Sequence, residues 1–149
     1  MWQEFIDRLS NINIMPFVLV FLTVFATLVF KYNRYQKVIV QLESYENIKV
    51  RINKGDKFFL FIIDSFKCTS CMKIFSPVKQ IVEEAGGTFI ALDSRTKQNF
   101  VSHSGVPTLI FFDNGKKLKQ LEISNQTLKH DLVPYKNFVE EVRMEWKNS

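Results

Sequence analysis

Residues 58–72 read FFLFIIDSFKCTSCM. The six apolar residues at 58–63 are continuous, with no polar alternation, which is the pattern of a central strand buried on both faces. From 72 to 85 the apolar side chains fall at 74, 75, 78, 81 and 82, a helical spacing, and Gly86-Gly87 closes the segment as a helix end usually closes. Cys68 and Cys71 therefore stand where a buried strand gives way to a helix.

That placement gives the two cysteines a specific chemistry. Two intervening residues in a first helical turn let the sulfurs come within bonding distance. The first sulfur lies where unpaired backbone N–H groups and the positive end of the helix dipole converge, and these stabilise a thiolate, the nucleophile of disulfide exchange. Cys68 is read as the attacking thiol and Cys71, one turn further in, as the resolving one. Lys67 adds a positive charge beside Cys68, or else stands free in solvent. These are the only two cysteines of the 149 residues, so there is no framework of structural disulfides. The competing readings are a metal site and an inert core pair. Zinc takes four ligands, and the other candidates are His103, His130 and scattered carboxylates at no recognisable spacing, so no metal ligand is assigned.

Downstream, 88–92 reads as a second strand, 96–103 as a short helix, and 108–112 as a third strand. Asp113-Asn114-Gly115 is a hairpin turn into a fourth strand at 118–123. Residues 135–146 are amphipathic, with Phe138, Val139, Val142 and Trp146 on one face. Upstream, Gly55-Asp56 marks a turn and 48–52 reads as a short strand. The order predicts an α/β domain, a mixed central sheet flanked by helices on both faces.

The run Gly105-Val106-Pro107-Thr108 leads into the third strand. Together with the apolar strand, Cys68-Thr69-Ser70-Cys71 and the Asp113-Asn114-Gly115 hairpin, it resembles the thioredoxin superfamily over about residues 48–146. The resemblance implies a thioredoxin-like fold and a cis Val106–Pro107 bond facing the cysteine pair, with Val106 and Thr108 flanking a substrate groove. It implies thiol–disulfide oxidoreductase activity through Cys68 and Cys71, with no cofactor beyond the dithiol itself, and Thr69-Ser70 tuning the potential. The partners it implies are cysteine-containing protein substrates and a redox protein that recycles the pair. The chain departs from the family at several positions. Ile62 stands where cytoplasmic thioredoxins carry a buried Asp, and Asp64 lies two residues beyond. Lys67 replaces the Trp before the first cysteine, Thr69-Ser70 replaces Gly-Pro, and Pro77 falls one residue late. In these respects the chain looks more like anchored, specialised bacterial members than like cytoplasmic thioredoxin. A thioredoxin-fold adaptor or chaperone with a static disulfide, and a metal-handling protein using the same thiols, are the alternatives.

Between Arg8 and Lys31 lie 22 residues without a charge. At about 1.5 Å per residue they can cross a hydrocarbon core of roughly 30 Å as a helix. The N-terminus begins Met-Trp-Gln-Glu and Phe30-Lys31-Tyr32 follows the apolar run, which does not fit a cleaved signal peptide. The expected organisation is a tail at 1–13, a transmembrane anchor at 14–30, a helical stalk at 31–47 and the thioredoxin-like domain at 48–149. The net charge is +5, with basic residues scattered among acids, so no nucleic-acid tract is present. A lipid bilayer is the expected partner and a single-pass cell-membrane protein the expected setting. Sidedness has two opposed indications. The family role favours an extracytoplasmic domain, whereas Lys31, Arg34 and Lys37 after the span favour a cytoplasmic one.

Overall fold

The computed structural model describes residues 15–96, 105–123 and 131–147. The chain forms two compact units, residues 1–36 and 37–149. The described part of the first is one helix, α1 (Met15–Ile39), whose last turn belongs to the second unit. It is the one helix among the described residues long and apolar enough to cross a membrane, and none of its apolar window is buried within the protein.

The second unit contains α2 (Tyr45–Lys54), β1 (Phe58–Ile63), α3 (Thr69–Glu84), β2 (Phe89–Asp93), β3 (Thr108–Asp113), β4 (Lys116–Glu122) and α4 (Val133–Lys147). The strands form one mixed sheet in the order β2-β1-β3-β4. β2 runs parallel to β1, and β3 and β4 follow antiparallel. All six residues of β1 are buried. Alternation sends Phe59, Phe61 and Ile63 to the face covered by α3 and α4, and Phe58, Leu60 and Ile62 to the face covered by α2. Cross-strand aromatic pairs lock the centre, with ring centroids 5.2 Å apart for Phe58–Phe112 and 4.9 Å for Phe59–Phe111.

The hairpin forms where the sequence placed it. Asn114 and Gly115 both have positive φ, 50° and 74°, as a tight two-residue turn requires. Gly115 lies so close to α2 that a Cβ there would stand 2.8 Å from the Ile52 carbonyl oxygen.

Two upstream expectations are corrected. The strand predicted at 48–52 is helix α2. Ile48 and Ile52 lie four apart, a spacing that suits one helix face as well as one strand face. Ser44 decides between them, because its hydroxyl accepts from the Asn47 N–H at 3.3 Å as an N-cap. Gly55, at φ 77°, closes the helix by donating to the Ile52 carbonyl at 3.0 Å. The predicted stalk at 31–47 does not continue as one helix. α1 stops at Ile39, Val38 is buried in the core, and Leu42 bridges Ala91 of β2. The Glu43 N–H then donates to the Ala91 carbonyl at 2.8 Å, so this segment covers the β2 edge. The compact unit accordingly begins at Lys37, upstream of residue 48. The helix predicted at 96–103 falls almost wholly outside the described residues, as do His103 and His130.

Candidate active site

Cys68 is the N-cap of α3. Its Sγ accepts from the Cys71 N–H at 3.1 Å. The two sulfurs are bonded at 2.05 Å, with the Cα atoms 5.3 Å apart. Cys68 is 8% exposed and Cys71 is fully buried, so the first sulfur is the one nearer solvent. The Ser70 hydroxyl lies 3.3 Å from Cys68 Sγ, and because a disulfide sulfur carries no proton, the hydroxyl is the donor. The helix mouth therefore directs one backbone and one side-chain donor at the Cys68 sulfur, the arrangement that stabilises a thiolate there. Thr69 and Lys67 are exposed beside it. α3 continues unbroken through Pro77.

The turn before Cys68 is built by Asp64. Its carboxylate accepts from the Phe66 N–H at 2.9 Å and the Lys67 N–H at 2.8 Å, and its carbonyl accepts from the Cys68 N–H at 3.1 Å. The Val106–Pro107 bond is cis. Pro107 and Thr108 are buried, and the Thr108 hydroxyl donates to the Gly105 carbonyl at 2.5 Å. In the β1–β3 ladder Thr108 stands opposite Ile62, so the cis bond enters the sheet next to the end of β1 from which the cysteine turn departs. Val106 packs against the apolar cluster that contains both cysteines.

A second polar group lies beside this turn, and the sequence reading did not find it. Asp93, at the end of β2, pairs with Ile63 in the ladder and is 6% exposed. Its carboxylate accepts from Arg95 Nε at 3.1 Å and Nη2 at 2.7 Å, and from the Ser65 hydroxyl. Burial alone would push this carboxyl up, but the hydrogen bonds from Arg95 and Ser65 outweigh it and hold the group below its ordinary value. The only local signal was a strand ending in Asp93-Ser94-Arg95; the partner, Ser65, is 28 residues away. Among the described residues no group of three or more His, Cys, Asp or Glu is placed to hold a metal ion.

No protein-family model matches the sequence, and no curated protein matches it. Solved structures do. A thioredoxin variant from Halobacterium salinarum superposes with a TM-score of 0.51 at 16% identity, covering 67% of this chain and 86% of that one. The chain has a thioredoxin-like fold. The oxidised thioredoxin from Plasmodium falciparum, at 18% identity, gives the same score over 67% of this chain and 93% of its own. The thioredoxin from Malassezia sympodialis does so at 17% identity over 70% and 88%. At these identities the likeness is one of fold. Within the thioredoxin-like domain, the cysteine pair stands at disulfide distance where a buried strand hands over to a helix.

Proposed function

We propose that the chain is a membrane-anchored thiol–disulfide oxidoreductase acting on cysteine-containing protein substrates. The observation that carries this reading is the Cys68–Cys71 pair at the mouth of α3, with Cys68 Sγ held by the Cys71 N–H at 3.1 Å. In the reducing direction the Cys68 thiolate attacks one sulfur of a substrate disulfide. A Cys68–substrate S–S bond forms, the substrate S–S bond breaks, and the departing thiolate takes a proton. Cys71, deprotonated, then attacks Cys68 Sγ. The intramolecular disulfide forms, the second substrate thiolate leaves, and two electrons have passed to the substrate. In the oxidising direction the same steps run backwards. Ser70 steadies the Cys68 sulfur, and Lys67 and Thr69 border it. Half-buried Val106 flanks the groove in which an extended substrate segment lies, and the buried Pro107 and Thr108 shape it from behind. Electrons pass through the two cysteine sulfurs, and a second thiol–disulfide protein recycles the pair.

The apolar part of α1, residues 15–30, is the anchor. The domain is assigned to the extracytoplasmic side from the resemblance to anchored members, against the basic residues that follow the span. Labelling of intact cells with a membrane-impermeant thiol reagent, after mild reduction, tests this: modification of Cys68 is expected, and protection until lysis would reverse the assignment.

Changing Cys71→Ser tests the chemistry. The variant is expected to accumulate mixed disulfides through Cys68 that reductant releases. Absence of any adduct would favour a static disulfide in an adaptor, and stoichiometric zinc on the reduced protein would favour metal handling.

A further inference from the structure

One guanidinium touches three of the four residues that lead into Cys68. Arg95 Nη2 donates to the Ser65 hydroxyl at 2.5 Å, Arg95 Nε lies 3.9 Å from Asp64 Oδ1, and the Arg95 guanidinium carbon sits 5.8 Å from the centroid of the Phe66 ring. The same group is held by the Asp93 carboxylate through Nε and Nη2, and the Arg95 backbone N–H adds a bond to Asp93 Oδ1 at 3.0 Å. Ser65 closes the ring, donating to Asp93 while accepting from Arg95, and is itself 4% exposed. Phe66, by contrast, is 76% exposed, so the turn has little apolar packing of its own to fix it. Its order comes from polar contacts.

The geometry points to Arg95 as a positioning residue for the thiol chemistry: it locks the turn of residues 64–67 and so keeps Cys68 at the mouth of α3. This inference rests on the oxidoreductase reading above. Two physical effects act in the same direction. A fixed turn keeps the Cys68 sulfur within reach of the Cys71 N–H after the disulfide opens, where the helix end stabilises a thiolate. The guanidinium also compensates Asp64 and Asp93, two carboxylates that would otherwise disfavour a further negative charge nearby. In the segments that meet at the turn the charged residues are Asp64 and Lys67 on it, Asp93 at the end of β2 with Arg95 just beyond, and Lys73 in the early part of α3; residues 105–108 at the entry to β3 add none. A lysine cannot substitute fully. Its ammonium is a point charge without the planar fork that meets Asp93 and Ser65 at once while lying over Phe66.

The test is the pH profile of Cys68 alkylation in the reduced full chain, read on the Cys68 peptide by mass spectrometry, with circular dichroism to verify folding. In the wild type the midpoint is expected below the free-thiol value of about 8.5. Arg95→Ala should raise it by about one pH unit, cutting the thiolate fraction several-fold at neutral pH. Arg95→Lys should recover only part of that, and Ser65→Ala should shift the midpoint the same way by less. A folded Arg95→Ala protein with the wild-type midpoint overturns the inference, as does full recovery by Arg95→Lys, which would leave charge without positioning. Should Arg95→Ala fail to fold, Ser65→Ala decides, and an unchanged midpoint overturns the proposal. Failure of the underlying reading is visible separately. A wild-type protein that exchanges with no disulfide overturns the enzyme itself, whatever the variants do.

Discussion

On the face of the sheet covered by α2, Ile48, Phe58, Leu60, Ile62, Ile90, Leu92, Ile110 and Phe112 pack together, and the buried Thr108 hydroxyl is bonded locally to the Gly105 carbonyl. On the face covered by α3 and α4, an equally buried apolar cluster includes Cys68, Cys71 and Tyr135, and the Asp93–Arg95–Ser65 group lies at the end of β1 and β2. Both faces belong to the same strands, residue by residue in alternation. What differs is the covering element. α2 brings two isoleucines and a closing turn, whereas α3 brings its N-terminus, with a cysteine at the cap whose sulfur accepts from the Cys71 N–H. Apolar packing is shared between the faces, and the cysteine pair belongs to one.

Substitutions on the two faces should separate these properties. The largest stability loss is expected for Leu60→Ala, a fully buried side chain on the α2 face, at about 2–5 kcal/mol in urea unfolding. Exchange activity per folded molecule should stay at the wild-type level, and a matching fall in activity would mean that the faces are not separable. Asp93→Asn, on the reactive side, should cost about 1–3 kcal/mol at neutral pH, because a charged acceptor of several hydrogen bonds is lost. The pH dependence distinguishes its cause. The Asp93 carboxyl titrates below its ordinary value of 3.8 in the folded protein. Its stabilisation is therefore complete above that value and disappears as pH falls through the folded-state value. Unfolding measured from pH 7 downward should show this acid limb in the wild type and not in Asp93→Asn. The smallest effect is expected at Tyr135, fully buried, whose hydroxyl has no hydrogen-bond partner among the described residues and whose ionisation burial pushes upward. Tyr135→Phe should leave stability unchanged or raise it by up to about 1 kcal/mol, read as a higher Tm. A clear loss would reveal a partner for that hydroxyl.

The sequence was most legible where a local pattern had a single structural solution. Residues 58–63 could be little other than a central strand, Asp113-Asn114-Gly115 required positive φ at two adjacent positions, and Cys68-Thr69-Ser70-Cys71 placed the cysteine pair between strand and helix. It was ambiguous where two periods share residues. Ile48 and Ile52 satisfy both a strand and a helix face, and the Ser44 cap, not the apolar pattern, settled the matter. Val38 and Leu42 are apolar positions in a segment that reads as a polar stalk, because what covers them lies far along the chain: Val38 is buried in the core cluster, and Leu42 bridges Ala91 of β2, some fifty residues later. The Arg95 group was illegible for the same reason. Asp64 and Ser65 look like ordinary turn residues until the parallel pairing of β1 with β2 brings Asp93 alongside Ile63. The position the resemblance marked for a buried carboxylate, Ile62, faces the α2 side, away from the cluster that holds the cysteines.

The most direct measurement of the central claim is the reduction potential of the Cys68–Cys71 pair, obtained by equilibrating the full chain with defined thiol–disulfide buffers. An exchanging couple is expected to fall between about −120 and −270 mV, the range spanned by strong dithiol oxidants and thioredoxin-type reductants. A value below about −300 mV, as structural disulfides show, would contradict it and leave a tethered domain with a permanent crosslink.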